Sequence, residues 1–586
     1  MRPLRRSPLA LCLASILLLG GPSTQRFLLA GGGSPIGQPA RDEHPGPPDP
    51  CELALTPKGQ ANGLHRRCEA AGSAGVARGD FNGDNLADLA IGVPYEDLDG
   101  VNAAGIVQVF YGSLGGLTAN GDELLDIRTF GFSLGSDDHF GWALAAGDFN
   151  GDGRSDLAIG APEYESTGSG NNGLVLVIEG SATGLDTSSV RSVGTLAGAR
   201  GRAGASLAWG DFNGDDIGDL AIGLPDSAVR GEGFACSQFA LDVANAGEVQ
   251  VFYGSNDGLN EFGAQRLVQG RCDRGSTGVG VGDSIEDGDR FGSSLTVLRG
   301  SGADDLVIGV PFEDLGLVDK LDAGLVHVVR GLSGGLYTSD AFVLSQDTPG
   351  VGGGAESGDQ FGRTLGSGNF NGGPADLVVS VPFEDLINNA ETDAGAVHVF
   401  PDINDVTDAG NGLFISQTDL TGASAEAGDR FGWAVAAGDF NGDGYDELAI
   451  GSPGENFGSL ADAGLVAVIN GSSTGLRFST VRILTQDTAG IPDVAEPGDQ
   501  FGYALSSWNF GGTTSPATRD LAIGAPLEDL TSASTGTLMQ DAGAVHVLYG
   551  VPNTGLATTG SQFWTQDSAG IGDSVQVGDR FGNTLY

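Results

Sequence analysis

A short apolar run that ends in a small residue and then proline recurs seven times along the chain. It reads AIGVP at Pro94, AIGAP at Pro162, AIGLP at Pro225, VIGVP at Pro311, VVSVP at Pro382, AIGSP at Pro453 and AIGAP at Pro526. Units of about 70 residues are too long for a single-hairpin solenoid and suit four short strands with their loops. We label these strands A to D. FGWALAAGDF, Phe140 to Phe149, illustrates A, and DLAIG, Asp156 to Gly160, illustrates B. AGAVHVLYG, Ala542 to Gly550, illustrates C, and FWTQD, Phe563 to Asp567, illustrates D. B is almost continuously apolar and C alternates, so both belong inside a stack of sheets. The pattern predicts an all-β fold, a seven-bladed β-propeller of four-stranded blades. An open solenoid is the alternative, but it requires capping units and none is visible.

The units run at about 71–138, 139–198, 199–285, 286–355, 356–425, 426–495 and 496–575, followed by a terminal strand, 576–586. The first unit has GSAGVARGDF, Gly72 to Phe81, where later units have an FG pair, while the chain ends on an isolated GDRFGNTLY, Gly578 to Tyr586. That tail either supplies a strand near the ring seam or begins a truncated eighth unit.

Composition narrows the function. Against 76 Asp+Glu there are 28 Lys+Arg, a formal net charge of -48, and only two lysines, Lys58 and Lys320. A compact nucleic-acid binder or a basic membrane-docking surface is therefore excluded. The 101 glycines favour turns over long helices.

Residues 1–24 read as a signal peptide. Arg2, Arg5 and Arg6 precede an apolar run, Leu9 to Gly20, too short to span a bilayer, with cleavage near Gly21 to Thr24. No later run reaches the length of a membrane helix, so an exported, monomeric protein is expected, at the cell surface or in the surrounding medium. Residues 25–70 form a Gly/Pro-rich segment containing Cys51 and Cys68. With Cys236 and Cys272 they make an even number, suited to disulfides in an oxidising compartment. Three pairings are open, and proximity favours Cys51 with Cys68 and Cys236 with Cys272.

Between strands A and B, four units carry Asp-x-Asn-x-Asp with an acid at position nine. The residues are Asp80, Asn82, Asp84 and Asp88; Asp148, Asn150, Asp152 and Asp156; Asp211, Asn213, Asp215 and Asp219; and Asp439, Asn441, Asp443 and Glu447. Alternate oxygens of a tight loop, with a main-chain carbonyl at position seven, are what a Ca2+ ion takes. Gly153 suits the sharp turn at position six, and Asn85 and Asp216 also tolerate it. Units four, five and seven lack the pattern, so four sites are expected. Plain Asx turns with solvated acids are the alternative.

The FG pairs at Phe140-Gly141, Phe291-Gly292, Phe361-Gly362, Phe431-Gly432, Phe501-Gly502 and Phe581-Gly582, with the prolines and Asp-rich loops above, resemble the FG-GAP repeat of integrin alpha-chain propellers. The resemblance covers roughly Gly72 to Tyr586. It implies calcium binding and adhesion or binding of an extracellular or cell-surface macromolecule, protein or glycan. Integrin-like legs, a membrane span and a cytoplasmic tail are not expected from these residues. Similar repeats accompany secreted phospholipase catalytic domains, and no such domain is expected within the residues before Gly72.

Antiparallel order puts the A-B and C-D turns on one face and the longer B-C and D-A connections on the other, where a ligand is expected. Glu96, Asp97, Glu313, Asp314, Glu384, Asp385, Glu528 and Asp529 follow the prolines on that side. They would bind a cationic partner, bridge through calcium, or form a solvated rim.

Other motifs carry less. Arg78-Gly79-Asp80 spells an integrin-recognised tripeptide, but Asp80 is committed to its loop. The G-x-S-x-G of Gly331 to Gly335 needs a strand-turn-helix context, and here it falls on a repeat turn. His327, His398 and His546 share a strand C position with Gln108, Leu176, Gln250 and Ala467, which marks a packing site. Asn470-Gly471-Ser472 is a glycosylation sequon. With no nucleophile, histidine and acid grouped, the chain is expected not to be an enzyme. A structural envelope or matrix component, and a secreted hydrolase with a loop-built site, are the alternatives to a binding or adhesion module.

Overall fold

The computed structural model describes residues 79–165, 172–193, 201–230, 242–270, 278–281, 284–300, 302–316, 320–386, 390–512 and 518–586. The signal sequence and all five cysteines, and hence the disulfide pairings, lie outside the described residues. The described residues form seven antiparallel blades with almost no helix, the seven-bladed β-propeller that the repeats predict.

Blade 2 shows the plan, with strands Ala143–Gly147, Asp156–Ala161, Leu174–Ser181 and Gly184–Val193 in spatial order. The second strand is buried along its whole length because it faces neighbours on both sides. Successive innermost strands contact one another around the ring. The blade 3 sheet carries a fifth strand, Gly278–Val281, parallel to its outer edge.

The position of strand D differs from expectation. In blade 7 it is Gly555–Trp564, which shares Phe563 and Trp564 with the FWTQD segment but begins eight residues earlier, and Thr565 to Asp567 turn back towards the next blade. The alternation in Gly555–Trp564 is masked by polar residues because an outermost strand has only one covered face.

The repeat motif has a packing cause. In blade 1 a Cβ on Gly92 would lie 2.1 Å from the carbonyl oxygen of Gly141, the FG glycine of blade 2. Gly524 stands in the same way 2.2 Å from the Gly582 oxygen. FG turns thus cross directly over a small residue of the preceding blade, glycine at these two joints and Ser380 beneath Gly432, and Gly141 and Gly582 turn at positive φ, 90° and 87°. The FG phenylalanines, Phe140, Phe291, Phe361, Phe431, Phe501 and Phe581, are fully buried.

The chain's last residues close the ring. Thr584–Leu585 pairs antiparallel with Leu89–Val93 and serves as the innermost strand of blade 1. Tyr586 exchanges two main-chain hydrogen bonds with Ala90, both 3.0 Å, and its hydroxyl donates to the Ala146 carbonyl in blade 2 at 3.1 Å. Phe581 packs in the core shared by blades 1 and 7. The tail is the missing strand of the first unit and not the start of an eighth.

Candidate functional site

The Asp-rich loops of blades 2, 3 and 6 connect the first two strands of their blades, and that of blade 1 leads into Leu89–Val93. In blade 2, Asp148 accepts from the main-chain N–H of Asp152 at 3.1 Å and Gly153 at 2.9 Å. Asn150 accepts from Asp152 N–H, and Asp152 from Arg154 N–H. The loops containing Asp80, Asn82 and Asp84 and Asp211, Asn213 and Asp215 repeat this scheme. In blade 6, Asp439 accepts from Gly442, Asp443 and Gly444, and Asp443 from Tyr445. The position-six residues Asn85, Gly153, Asp216 and Gly444 all turn at positive φ, 69°, 90°, 67° and 88°.

Position nine does separate work. Asp156 receives Phe149 N–H and Gly180 N–H, both at 3.0 Å, tying the A-B loop to the C-D turn. Asp88 and Asp219 do the same. Glu447 accepts from Phe440 N–H and from the Asn441 side chain. Blades 5 and 7 lack the motif, yet Asp376 and Asp520 keep this role, so burial of this acid is a feature of the fold and no mark of a metal. Burial pushes Asp88, Asp156, Asp219, Glu447 and Asp520 up to about 8.

Positions one, three and five distinguish the four loops. They offer only oxygen donors, and burial, with the position-five charge adding to it, raises Asp80, Asp148 and Asp439. That all-oxygen, electron-rich set fits a hard divalent cation. The three carboxylates of no loop come within 4.8 Å of one another.

Among the described residues one carboxylate trio does, Glu496, Asp499 and Glu528, on the opposite face. It belongs to a repeated arrangement. Glutamine after an outermost strand donates to the glutamate after the next blade's proline: Gln269 to Glu313, Gln346 to Glu384, Gln417 to Glu455, Gln486 to Glu528 and Gln566 to Glu96. Burial, with nearby carboxylates, pushes Glu96 up to about 9 and Glu384 to about 8, and raises Glu528. The rim acids expected from the sequence therefore divide: Glu96, Glu313, Glu384 and Glu528 are buried, Asp97 is exposed, and Asp314, Asp385 and Asp529 are half-buried. Their glutamine partners sit in the preceding unit, or 470 residues away for Gln566 and Glu96. A glutamine about 40 residues before the Pro-x-Glu of Glu313, Glu384, Glu455 and Glu528 was the available signal.

Closer to the axis on the same face runs a circuit of aromatic and guanidinium groups that sequence reasoning missed. Arg580 lies 4.5 Å from the Tyr95 ring centre, and Tyr95 packs on Trp142 at 6.3 Å. Arg202 stands over Trp142 at 5.7 Å and pairs with Glu163 at 2.7 Å. Asp226 bridges Arg202 and Arg290, and Arg290 covers Phe312 at 4.8 Å. Arg363 spans Phe312 and Trp433, Arg430 spans Phe383 and Trp433, and Trp433 meets Tyr503 at 5.4 Å. Burial raises the Tyr503 hydroxyl, and the charges of Arg363, Arg580 and Arg430 oppose that rise.

The other singled-out residues have structural places. Asp80 is buried in its loop, and Arg78 lies outside the described residues. Gly331 to Gly335 is the hairpin between Leu325–Leu332 and Gly335–Leu344, with no helix after it. His327, His398 and His546 are buried edge-on against Phe291, Phe361 and Phe501. No helix among the described residues is long and apolar enough to cross a membrane.

Seven blades, six of their joints made by FG turns and one by Ala203-Gly204, with Asp-rich loops at one face, define a repeat propeller. A model of the FG-GAP repeat matches residues 71–110, 140–178 and 431–469, so the seven-bladed β-propeller contains FG-GAP repeats. It is similar to the phosphatidylinositol-glycan-specific phospholipase D of Bos taurus, 26% identical over 469 residues, covering 76% of this chain and 50% of that protein. It is also similar to integrin alpha-PS2 of Drosophila melanogaster, 32% identical over 164 residues, 27% of this chain and 11% of that one. The chain thus matches half or less of these relatives' lengths. The solved rhamnogalacturonan lyase YesW aligns over 82% of this chain and 88% of its own at 12% identity, with a TM-score of 0.30, too distant to inform the chemistry.

The expectation that the chain is not an enzyme is corrected by the similarity to the phospholipase, which runs through most of the chain. The inference rested on a missing nucleophile, histidine and acid constellation. That absence excludes one kind of covalent catalysis only, and carboxyl clusters assembled from distant repeats are invisible to it.

Proposed function

We propose that the chain is a secreted, calcium-binding FG-GAP propeller that binds an extracellular or cell-surface macromolecule on the face formed by its B-C and D-A connections. The observation that carries the reading is the run of aromatic and guanidinium groups at that face, held by turns locked between blades. Aromatic and arginine side chains on a rigid support are the usual anchors of recognition. Similarity to integrin alpha chains supports it. The four all-oxygen loops on the other face support calcium as a stabilising ion.

The test is capture from cell-surface extracts by the purified chain in millimolar calcium and in chelator, with circular dichroism to follow the fold. A saturable partner is the expected result, and its absence under both conditions overturns the reading. The similarity to the phospholipase favours a second reading, hydrolysis of a phosphatidylinositol-glycan. The same preparation incubated with a reporter protein anchored in this way would release it.

A further inference from the structure

We propose that the mouth of the ring between blades 4 and 1 takes a carboxylate presented by a protein partner, gripped by Arg363, Arg430 and Arg580. The inference rests on the ligand-binding reading above and names the chemistry of its site.

The arginines of the circuit are not equivalent. Arg202 and Arg290, on the side of blades 2 to 4, are neutralised by Glu163 and Asp226. Among the described residues no carboxylate pairs with Arg363, Arg430 or Arg580, in a chain that carries 76 acidic residues. Arg363 and Arg430 instead approach the same ring, with their guanidinium carbons 5.8 and 5.7 Å from the centre of Trp433. The Arg430 Nε is buried without a hydrogen-bond partner. Half-covered guanidinium forks stacked on aromatic rings keep their N–H edges for a planar anion, and a carboxylate matches that geometry.

The surrounding charge selects the kind of partner. Glu286, Glu356, Glu426 and Glu496 are exposed on the D-A connections, and each donates its main-chain N–H to the buried aspartate three residues on, Asp289, Asp359, Asp429 or Asp499. The mouth is thus positive at its centre and negative around it. An acidic polysaccharide would meet repulsion on every approach. A folded protein surface can set one aspartate or glutamate amid lysines and arginines and satisfy both rings.

The probe is a fluorescent peptide with one aspartate between lysine pairs, followed by anisotropy against the full chain in calcium. Saturable binding is expected, with the asparagine counterpart weaker by about tenfold or more, because a charge-assisted pair is lost. An R363Q/R430Q chain should lose the preference for aspartate while an R128Q chain, altered at an exposed arginine paired with Asp126, keeps it. Unchanged melting temperatures show that each variant is folded. Equal binding of the two peptides, undiminished binding by R363Q/R430Q, or tighter binding of oligogalacturonate than of the peptide overturns the proposal. If R363Q/R430Q still captures the surface partner as the parent does, the mouth site falls and the ligand-binding reading stands. If no surface partner exists but the aspartate preference holds, the reverse is true.

Discussion

Three histidines at one repeat position show how a polar residue can be tolerated at the centre of a blade. His327, His398 and His546 pair across the sheet with Ile308, Val379 and Ile523, where blade 2 places Leu176 opposite Ile159. The ring nitrogens of His327 and His546 have no hydrogen-bond partner. Burial pushes all three imidazoles down to about 3. The folded chain therefore holds them neutral, whereas the unfolded chain protonates them below about 6.5. Their contribution is intact above that value and is lost as pH falls towards 3, at about 2 kcal/mol each by pH 5. His327→Leu should raise the unfolding free energy from urea titration slightly at pH 8 and by about 2 kcal/mol more at pH 5, flattening the acid limb. A variant less stable than the parent at pH 5 would show that the imidazole has a partner the packing does not reveal.

At the scale of the strand, the seam is the element on which the ring depends. Thr584–Leu585 is two residues long, but it completes blade 1 and ties it to blade 2 through the Tyr586 hydroxyl. Phe581→Ala should cost about 3–5 kcal/mol by opening a cavity between blades 7 and 1. Hydrogen exchange should then accelerate in Leu89–Val93 before it does in blade 4, whereas uniform acceleration would mean that the seam is no weaker than any other joint. Strands A to C were legible because their burial is set locally, by apolar runs ending at a glycine that a neighbouring turn must cross. Strand D was misplaced because half-covered edge strands need no apolar pattern. The Asp-rich loops are contiguous and could be read residue by residue. The Gln-Glu clusters and the circuit through Arg363, Trp433 and Tyr503 are assembled across blades, and no single unit contains one whole.

The whole molecule carries a formal charge of -48 and folds while burying carboxyl groups without enough cations of its own. Away from the Asp-rich loops, burial pushes Glu96 up to about 9 and Glu384 to about 8, and Asp579 to about 7. For an acid raised on folding, the contribution is full below the unfolded value near 4.3 and is lost as pH rises through the folded one. The chelated chain should therefore lose stability steadily from pH 5 to pH 9, with its surface self-repulsion adding to the loss. Calcium should oppose this through the loops, since an ion bound only by the folded chain stabilises it by mass action. Calorimetry at pH 7.5 is expected to show four ions per chain, one for each loop with the full donor set. A D148N/D152N chain should bind three and show a smaller rise in melting temperature with calcium. An unchanged stoichiometry in that variant would move the ions away from the loops, and no binding at all would leave Asp148, Asn150 and Asp152 as turn-forming residues alone.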